Sequence, residues 1–385
     1  MTTKVTQKIY PRALDLSSIL NSRSCFFLGP RLTGKSTLIR ETIPEALVFD
    51  LLSNDVYFSL LEKSFSLENV VSANTDIVVI DEIQKAPQLL DEVHRLIELK
   101  GIRFLLTGSS ARKLRRGGVN LLGGRAGTVH FHPFIARELG DDFKLKRALR
   151  YGTVPAVYCS DEPSRVLRDY IGNYLRQEIA AEGVVRDLPA FVRFLDLASH
   201  CNATIVNYEN LASDAQVSRN TVYNYFDILK DTLIAFELQA WRHSPKRKPI
   251  VSSKYYLFDI GVVNAIQSRS AFRFAQSEGF SFETWMLHEL RCWINYNERD
   301  DALHYWRSNS GYEVDFLIHD HTAIEVKAKP NVGMRDLRSL KALKEEEIFQ
   351  NFVCVYMGSL PKHVDGIEIL PYKTFLDYLW EGKYG

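Results

Sequence analysis

Gly29-Pro-Arg-Leu-Thr-Gly-Lys-Ser36 fits the pattern GxxxxGK[S/T] and lies between an apolar stretch, Cys25 to Leu28, and a helix-like stretch from about Lys35 to Glu41. Strand, glycine loop and helix in that order make a phosphate cradle. Gly29 and Gly34 let the backbone turn sharply, so that successive N–H groups and the N-terminus of the next helix point at phosphate oxygens. Lys35 brings a positive charge to the β/γ-phosphates, and the Ser36 hydroxyl is placed to ligate Mg²⁺. Gly29, Pro30, Arg31, Leu32, Thr33, Gly34, Lys35, Ser36 and Thr37 are therefore expected to surround a bound nucleotide, with ATP and Mg²⁺ as the ligands.

Working outward, Asp76 to Gln84 read DIVVIDEIQ, an apolar run of buried-strand type that ends in two carboxylates. Asp81 is expected to hold Mg²⁺ through water, and Glu82 to orient and deprotonate the attacking water. A further strand, Ile102 to Leu106, leads into Thr107-Gly-Ser-Ser110, where Ser109 is expected to sense the γ-phosphate. The three segments together resemble the Walker A, Walker B and sensor 1 elements of the AAA+ ATPases. Strand patterns at Cys25–Leu28, Ala46–Leu51, Ile77–Asp81, Arg103–Thr107 and Thr128–His132 alternate with helical ones, which implies a parallel α/β sheet that binds ligand at the carboxyl ends of its strands. The glycine-rich stretch Gly117 to Arg125 precedes the last of these strands. Its Arg125 is either a finger on the γ-phosphate, in its own or a neighbouring subunit, or a plain surface arginine.

At 385 residues the chain is too long for one core and suits two or three domains. Its 46% apolar and 25% charged content describe an ordinary soluble protein, and a formal charge of +1 excludes a globally basic one. Nucleic-acid contact would have to come from local patches; Arg112, Lys113, Arg115 and Arg116 form a basic cluster that reads first as a solvated loop and only second as such a patch. No apolar run approaches ~18 residues, and MTTKVTQKIYPR lacks a signal peptide's apolar core, so a cytoplasmic location without membrane contact is expected. Cysteines 25, 159, 201, 292 and 354 show no metal-binding spacing and read as reduced and mostly buried.

From about Asp141 to Cys201 the pattern is helical, with a strand signal near Tyr151 to Tyr158. Asn210 to Lys230 then reads as short helix, turn and longer helix with Ser218 as N-cap; Val222, Tyr225, Phe226 and Leu229 face inward, and Arg219, Asn220, Tyr223 and Asn224 outward. Two strands, Leu233–Trp241 and Lys254–Phe258, are joined by the basic Ser244-Pro-Lys-Arg-Lys-Pro249. The layout is that of a winged helix-turn-helix, a DNA reader or a protein-packing module.

In the last third, strands Gly311–Ile318 and Ala323–Lys329 carry Asp315, Glu325 and Lys327; the last two, spaced by two residues, share one face. Two carboxylates and a lysine suit metal-dependent phosphodiester cleavage, and equally a surface ion-pair ladder. This resembles the PD-(D/E)XK nuclease fold, in which a glutamate from the first helix completes the metal site. Glu283 and Glu289 are the candidates, and they diverge by roughly 120° on a helix; Glu283 is favoured. The metal ligands implied are Glu283, Asp315 and Glu325, with Lys327 positioning water.

GPRLTGKST (29–37), VVIDEIQ (78–84), LTGSS (106–110), GGR (123–125), KYYLFDIGVVNAI (254–266), FETWMLHEL (282–290), VDF (314–316) and IEVK (324–327) span nearly the full chain. They resemble a widespread family of prokaryotic AAA-type ATPases in which a P-loop core is joined to a winged helix and a C-terminal domain of unknown function with a restriction-endonuclease-like fold. Val314 stands where the nuclease pattern commonly has Pro. The resemblance implies a P-loop core at 1–140, a helical lid at 141–203, a winged helix at 204–258 and a nuclease-like domain at 259–385. The expected function is ATP hydrolysis coupled to DNA binding or cleavage; the alternative is a nucleotide switch acting on a protein partner, with a silent nuclease-like domain. A trans-acting Arg125 would require a homo-oligomer.

Overall fold

Strand β1 (Ser24–Leu28) is buried at all five positions and sends alternate side chains to opposite faces, as a strand covered on both sides must. Phe26 and Leu28 join Val78, Ile80, Phe104, Leu106 and the helix Leu89–Lys100 on one face. Cys25 and Phe27 join Val79, Leu105 and the helices Leu16–Ser22 and Lys35–Thr42 on the other. The computed structural model describes residues 8–61, 67–71, 75–110, 122–175, 187–267 and 274–384.

With β2 (Leu47–Asp50), β3 (Ile77–Asp81), β4 (Arg103–Gly108) and β5 (Ala126–His130), β1 forms a parallel sheet in the order β2-β3-β4-β1-β5. Because β4 lies between β1 and β3, the carboxyl ends of those three strands meet at one sheet edge. The fold expected for the first third is therefore present, with β5 beginning two residues before the expected strand and ending two residues short of it.

The middle of the chain is helical, as expected, except that Tyr151–Tyr158 contains no strand. Pro155 opens a short helix to Tyr158, at a position where its missing N–H costs nothing. Helices Leu188–His200, Tyr208–Ala215 and Arg219–Asp231 pack around Phe191, Phe194, Tyr225 and Phe226. Ser218 accepts the Thr221 N–H at 3.1 Å and so caps the third of them. The helix Ile260–Gln267 buries Ile260, Val262, Val263 and Ile266 in the same core, so the boundary expected after Phe258 cuts through a packed unit.

β6 (Ala235–Ala240) and β7 (Lys254–Leu257) pair antiparallel, and β6 also pairs in parallel with β8 (Leu303–Arg307). The hairpin thus continues a sheet that runs through β9 (Glu313–Ile318), β10 (Thr322–Lys327), β11 (Asn351–Tyr356), β12 (Lys362–Val364) and β13 (Ile367–Pro371), in the order β12-β13-β11-β10-β9-β8-β6-β7. The long helix Phe274–Tyr296 lies between the two sheets. Trp285, Met286 and Trp293 pack into the second sheet's core, while Cys292 and Tyr296 pack against Phe27, Phe131 and Ile135 beside the first.

Candidate functional site

The glycine loop is built by close backbone approaches. Gly34 takes φ +92°, a conformation open to glycine, and caps the helix Lys35–Thr42. A Cβ at Gly29 would stand 2.3 Å from the Phe131 carbonyl oxygen, so only glycine fits beside the turn that follows β5. The buried Lys35 ammonium donates to the carbonyls of Gly29 (2.6 Å) and Pro30 (3.2 Å) and is thus held over the cradle. Arg12 clasps the loop from outside: its Nη1 donates to the Thr33 carbonyl (2.9 Å), Nη2 to that of His132 (2.7 Å), Nε lies 3.0 Å from Glu138, and the guanidinium sits 4.0 Å over the Phe131 ring. Sequence reasoning gave Arg12 no role, since nothing local marks it. A cleft of about 1000 Å³ opens beside the loop, lined by Tyr10, Arg12, Leu32, Gly34, Leu38 and Pro155 among others.

At the neighbouring strand tip, Ser36 Oγ lies 3.4 Å from Asp81 Oδ2, so the hydroxyl and carboxylate expected to flank Mg²⁺ are side by side. Thr107 fixes both acids, donating from its hydroxyl to Asp81 while accepting the Glu82 N–H at 3.2 Å. Glu82 is buried and sits at φ +63°, a left-handed conformation that a non-glycine residue adopts at a cost of order 1–3 kcal/mol. Gln84 donates to the Glu82 carboxylate and lies 3.3 Å from Ser109 Oγ, tying the expected base to the expected sensor. A Cβ at Gly108 would come within 2.6 Å of the Gln84 amide oxygen, so a side chain there would push Gln84 from its place between Glu82 and Ser109. Gln84 and Thr107 were not assigned roles from sequence, although both lie within the motifs. Gln84→Leu should leave nucleotide affinity nearly intact and lower ATP turnover by up to about 10²-fold, the size of effect that follows displacement of a catalytic group by an ångström. Nucleotide titration and steady-state turnover on the same preparation check this.

Arg125 does not lie at this edge. It precedes β5, whose first residue, Ala126, pairs with Ser24 at the start of β1, so it stands at the opposite end of the sheet and pairs there with Glu98. Within one chain it cannot serve the γ-phosphate. The rest of the glycine-rich stretch, Gly117 to Leu121, and the basic residues Arg112, Lys113, Arg115 and Arg116 lie outside the described residues.

The second constellation has a different centre from the one expected. Lys254, 2% exposed and carried by β7, reaches Glu313 (2.6 Å) and Glu283 (3.2 Å), and Tyr256 donates to Glu283 at 2.6 Å. Asp315 accepts the Val326 N–H at 2.8 Å, and Lys327 pairs with Glu325. Burial alone would depress the Lys254 ammonium, but Glu283, Asp315 and Glu313 outweigh it and hold the group above its ordinary range. Burial pushes Glu283, Asp315 and Glu325 upward, with Lys254 pulling the first two back down. Among the described residues, Glu283, Asp315 and Glu325 do not bring one oxygen each within 4.8 Å of the others, so the three-carboxylate metal set is not assembled. The fixed charge of Lys254 stands against Glu283 and Glu313 instead. Glu289 takes no part, since it accepts the Ala136 N–H at 2.7 Å on another side of the helix.

The basic loop between β6 and β7 is likewise occupied. Lys246 pairs with Glu347 (2.9 Å), and Arg247 pairs with Glu345 and with Glu346 (3.3 Å). Arg219, Asn220, Tyr223 and Asn224 are exposed as expected, with Arg219 paired to Glu209 at 3.2 Å.

Comparison with known proteins gives one functional domain and two of unknown role. Residues 21–140 match the model of an AAA domain, residues 142–273 that of a domain of unknown function (DUF8612), and residues 278–375 that of another (DUF4143). The chain is 24% identical over 271 residues to the uncharacterized protein MJ1544 of Methanocaldococcus jannaschii, a match that covers 64% of this chain and 59% of that protein. Solved structures similar in part include the Aeropyrum pernix ORC1 protein in complex with DNA, at 13% identity and TM-score 0.32 over 70% of this chain and 95% of that one. The Pif1 helicase from Candida albicans aligns at 16% identity and TM-score 0.25, over 42% of this chain and 47% of that one. A STAND-type signal transduction ATPase with a tetratricopeptide repeat sensor, from Pyrococcus horikoshii, aligns at 14% identity and TM-score 0.24 over 75% and 47%. Among the described residues no helix is long and apolar enough to cross a membrane.

Proposed function

We propose that this AAA-type ATPase core works as a nucleotide switch whose state is passed to the C-terminal sheet and from there to a protein partner. Gly29 to Thr37 wrap the phosphates of ATP, Lys35 neutralises them, and Ser36 with Asp81 holds Mg²⁺. Glu82 activates water and Ser109 senses the γ-phosphate. The cleft beside Tyr10, Leu32 and Leu38 offers room for the base and ribose. Bound ATP would take up the Lys35 ammonium that now donates to the Gly29 and Pro30 carbonyls, and Gln84, by joining Glu82 to Ser109, would couple the base to the sensor. The observation that carries the reading is the shared clamp at the carboxyl edge, where Ser36 meets Asp81 and Gln84 joins Glu82 to Ser109.

Lys254 favours the switch over a nuclease, because an ammonium already pairs with Glu283, one of the three carboxylates that a metal would need, and with its neighbour Glu313. DNA contact remains as a second reading, supported by the exposed Arg219, Asn220, Tyr223 and Asn224 on one helix face. A homo-oligomer would be required only if Arg125 acted in trans.

The experiment combines ATP turnover with assays on labelled single-stranded, double-stranded and branched DNA in Mg²⁺ or Mn²⁺, using wild type, Lys35→Ala and Asp315→Ala. The switch reading expects turnover that vanishes in Lys35→Ala, and no cutting by any form. Cutting by wild type that disappears in Asp315→Ala would replace it with a nuclease. DNA affinity that falls steeply with salt and drops in Arg219→Ala would establish the second reading.

A further inference from the structure

His132, His288 and Cys292 are the one group among the described residues in which at least three His, Cys, Asp or Glu side chains bring a ligand atom each within 4.8 Å of the others. All three are buried, and none belongs to the nucleotide site or the acid cluster. His288 and Cys292 are four residues apart on the long helix and so share a face. His132 arrives from the turn after β5, on the first sheet's side of the interface.

We propose that these three side chains form a site for one Zn²⁺ ion. The donor set, two imidazoles and a thiolate, is the one this borderline-soft cation prefers. The separation between His288 Nδ1 and Cys292 Sγ is 3.7 Å, against about 3.5 Å for two such ligands on one tetrahedral zinc. Sγ is 3.8 Å from Nε2 of the same ring, so the sulfur lies along neither lone pair, and the imidazole must turn about its soft terminal torsion to aim Nδ1 at the shared position.

The outer partners are those a ligating histidine needs. His132 Nε2 lies 2.7 Å from Asn295 Oδ1, and His288 Nε2 lies 2.9 Å from the Phe134 carbonyl oxygen. A carbonyl can only accept, so His288 carries its proton on Nε2 and keeps Nδ1 free for a metal; Asn295 does the same for His132. Phe27, Phe131 and Tyr296 in the surrounding cluster exclude water. Binding would displace the thiol proton to solvent and leave the ion held by three protein ligands. The ion would bolt the long helix to the segment whose Phe131 carbonyl faces Gly29 and whose His132 carbonyl accepts from Arg12. Its occupancy would therefore stiffen the support of the phosphate loop.

The test titrates Co²⁺, as a spectroscopic substitute for Zn²⁺, into the full chain stripped of metal and free of nucleotide. The expected result is a sulfur-to-cobalt charge-transfer band that saturates at one ion per chain, is bleached by Zn²⁺, and is absent in Cys292→Ser. That variant keeps the other four cysteines. Asn295→Ala, which leaves all three ligands in place, should bind about 10-fold more weakly, and Zn²⁺ should raise the melting temperature of wild type. Absence of the band in wild type, or its survival in Cys292→Ser, overturns the site. The wild-type titration decides even if a variant fails to fold.

Discussion

Glu82→Gln is expected to lower ATP turnover by about 10²–10⁴-fold, the range supplied by a positioned general base, while nucleotide and Mg²⁺ still bind. The two side chains are nearly isosteric, and a glutamine oxygen can still accept from Gln84, so the link to Ser109 and the left-handed backbone at residue 82 are both retained. What is lost is the capacity to take a proton from water. Lys35→Ala should differ in kind, since it removes the charge facing the phosphates and weakens binding itself. Turnover measured with nucleotide affinity separates the two, and unreduced turnover in Glu82→Gln would exclude Glu82 as the base.

Lys254→Met should destabilise the unit that contains the second sheet by about 3–5 kcal/mol, the cost of removing one partner from a buried charge cluster. Lys254 is 2% exposed, so solvent does not screen the loss. The deficit should depend on pH with a definite sign. Glu283 and Asp315 already lie above their ordinary range because they are buried, and Lys254 pulls both down. Without it both rise further, so the folded variant holds protons that the unfolded chain has released above about pH 4.3. Stability falls with rising pH wherever the native state binds more protons. The deficit should therefore be largest at pH 8 and shrink toward pH 5, and Glu283→Gln added to Lys254→Met should recover part of it. Urea midpoints at the two pH values check this; a deficit independent of pH would mean that packing, and not charge, makes Lys254 necessary.

The nucleotide site was legible because its chemistry lies in contiguous motifs, and because strands buried on both faces read as unbroken apolar runs. For Arg125, left open between a finger and a surface arginine, direction alone argues against a finger within the same chain: a residue that precedes a parallel strand lies at the edge opposite a loop that follows one. Lys254 was harder to read. It reaches Glu283 and Glu313 because β6 pairs with β8, a long-range contact that no local pattern encodes. The one local signal is a lysine at the head of Lys254-Tyr-Tyr-Leu257, a strand buried at every position, since a buried ammonium requires carboxylates nearby. His132 is far from His288 and Cys292 in sequence, so cysteine spacing could not reveal that cluster.

The pairing of β6 with β8 has a practical consequence for anyone who cuts this chain into pieces. A fragment that begins at the long helix, near the start of the match at residue 278, would strip β6 and β7 from the sheet and leave the β8 edge bare. It would also deprive Glu283 and Glu313 of their cation. Exposed strand edges are templates for self-association, so aggregation of such a fragment would report on where the cut was made and say little about the activity of the intact protein.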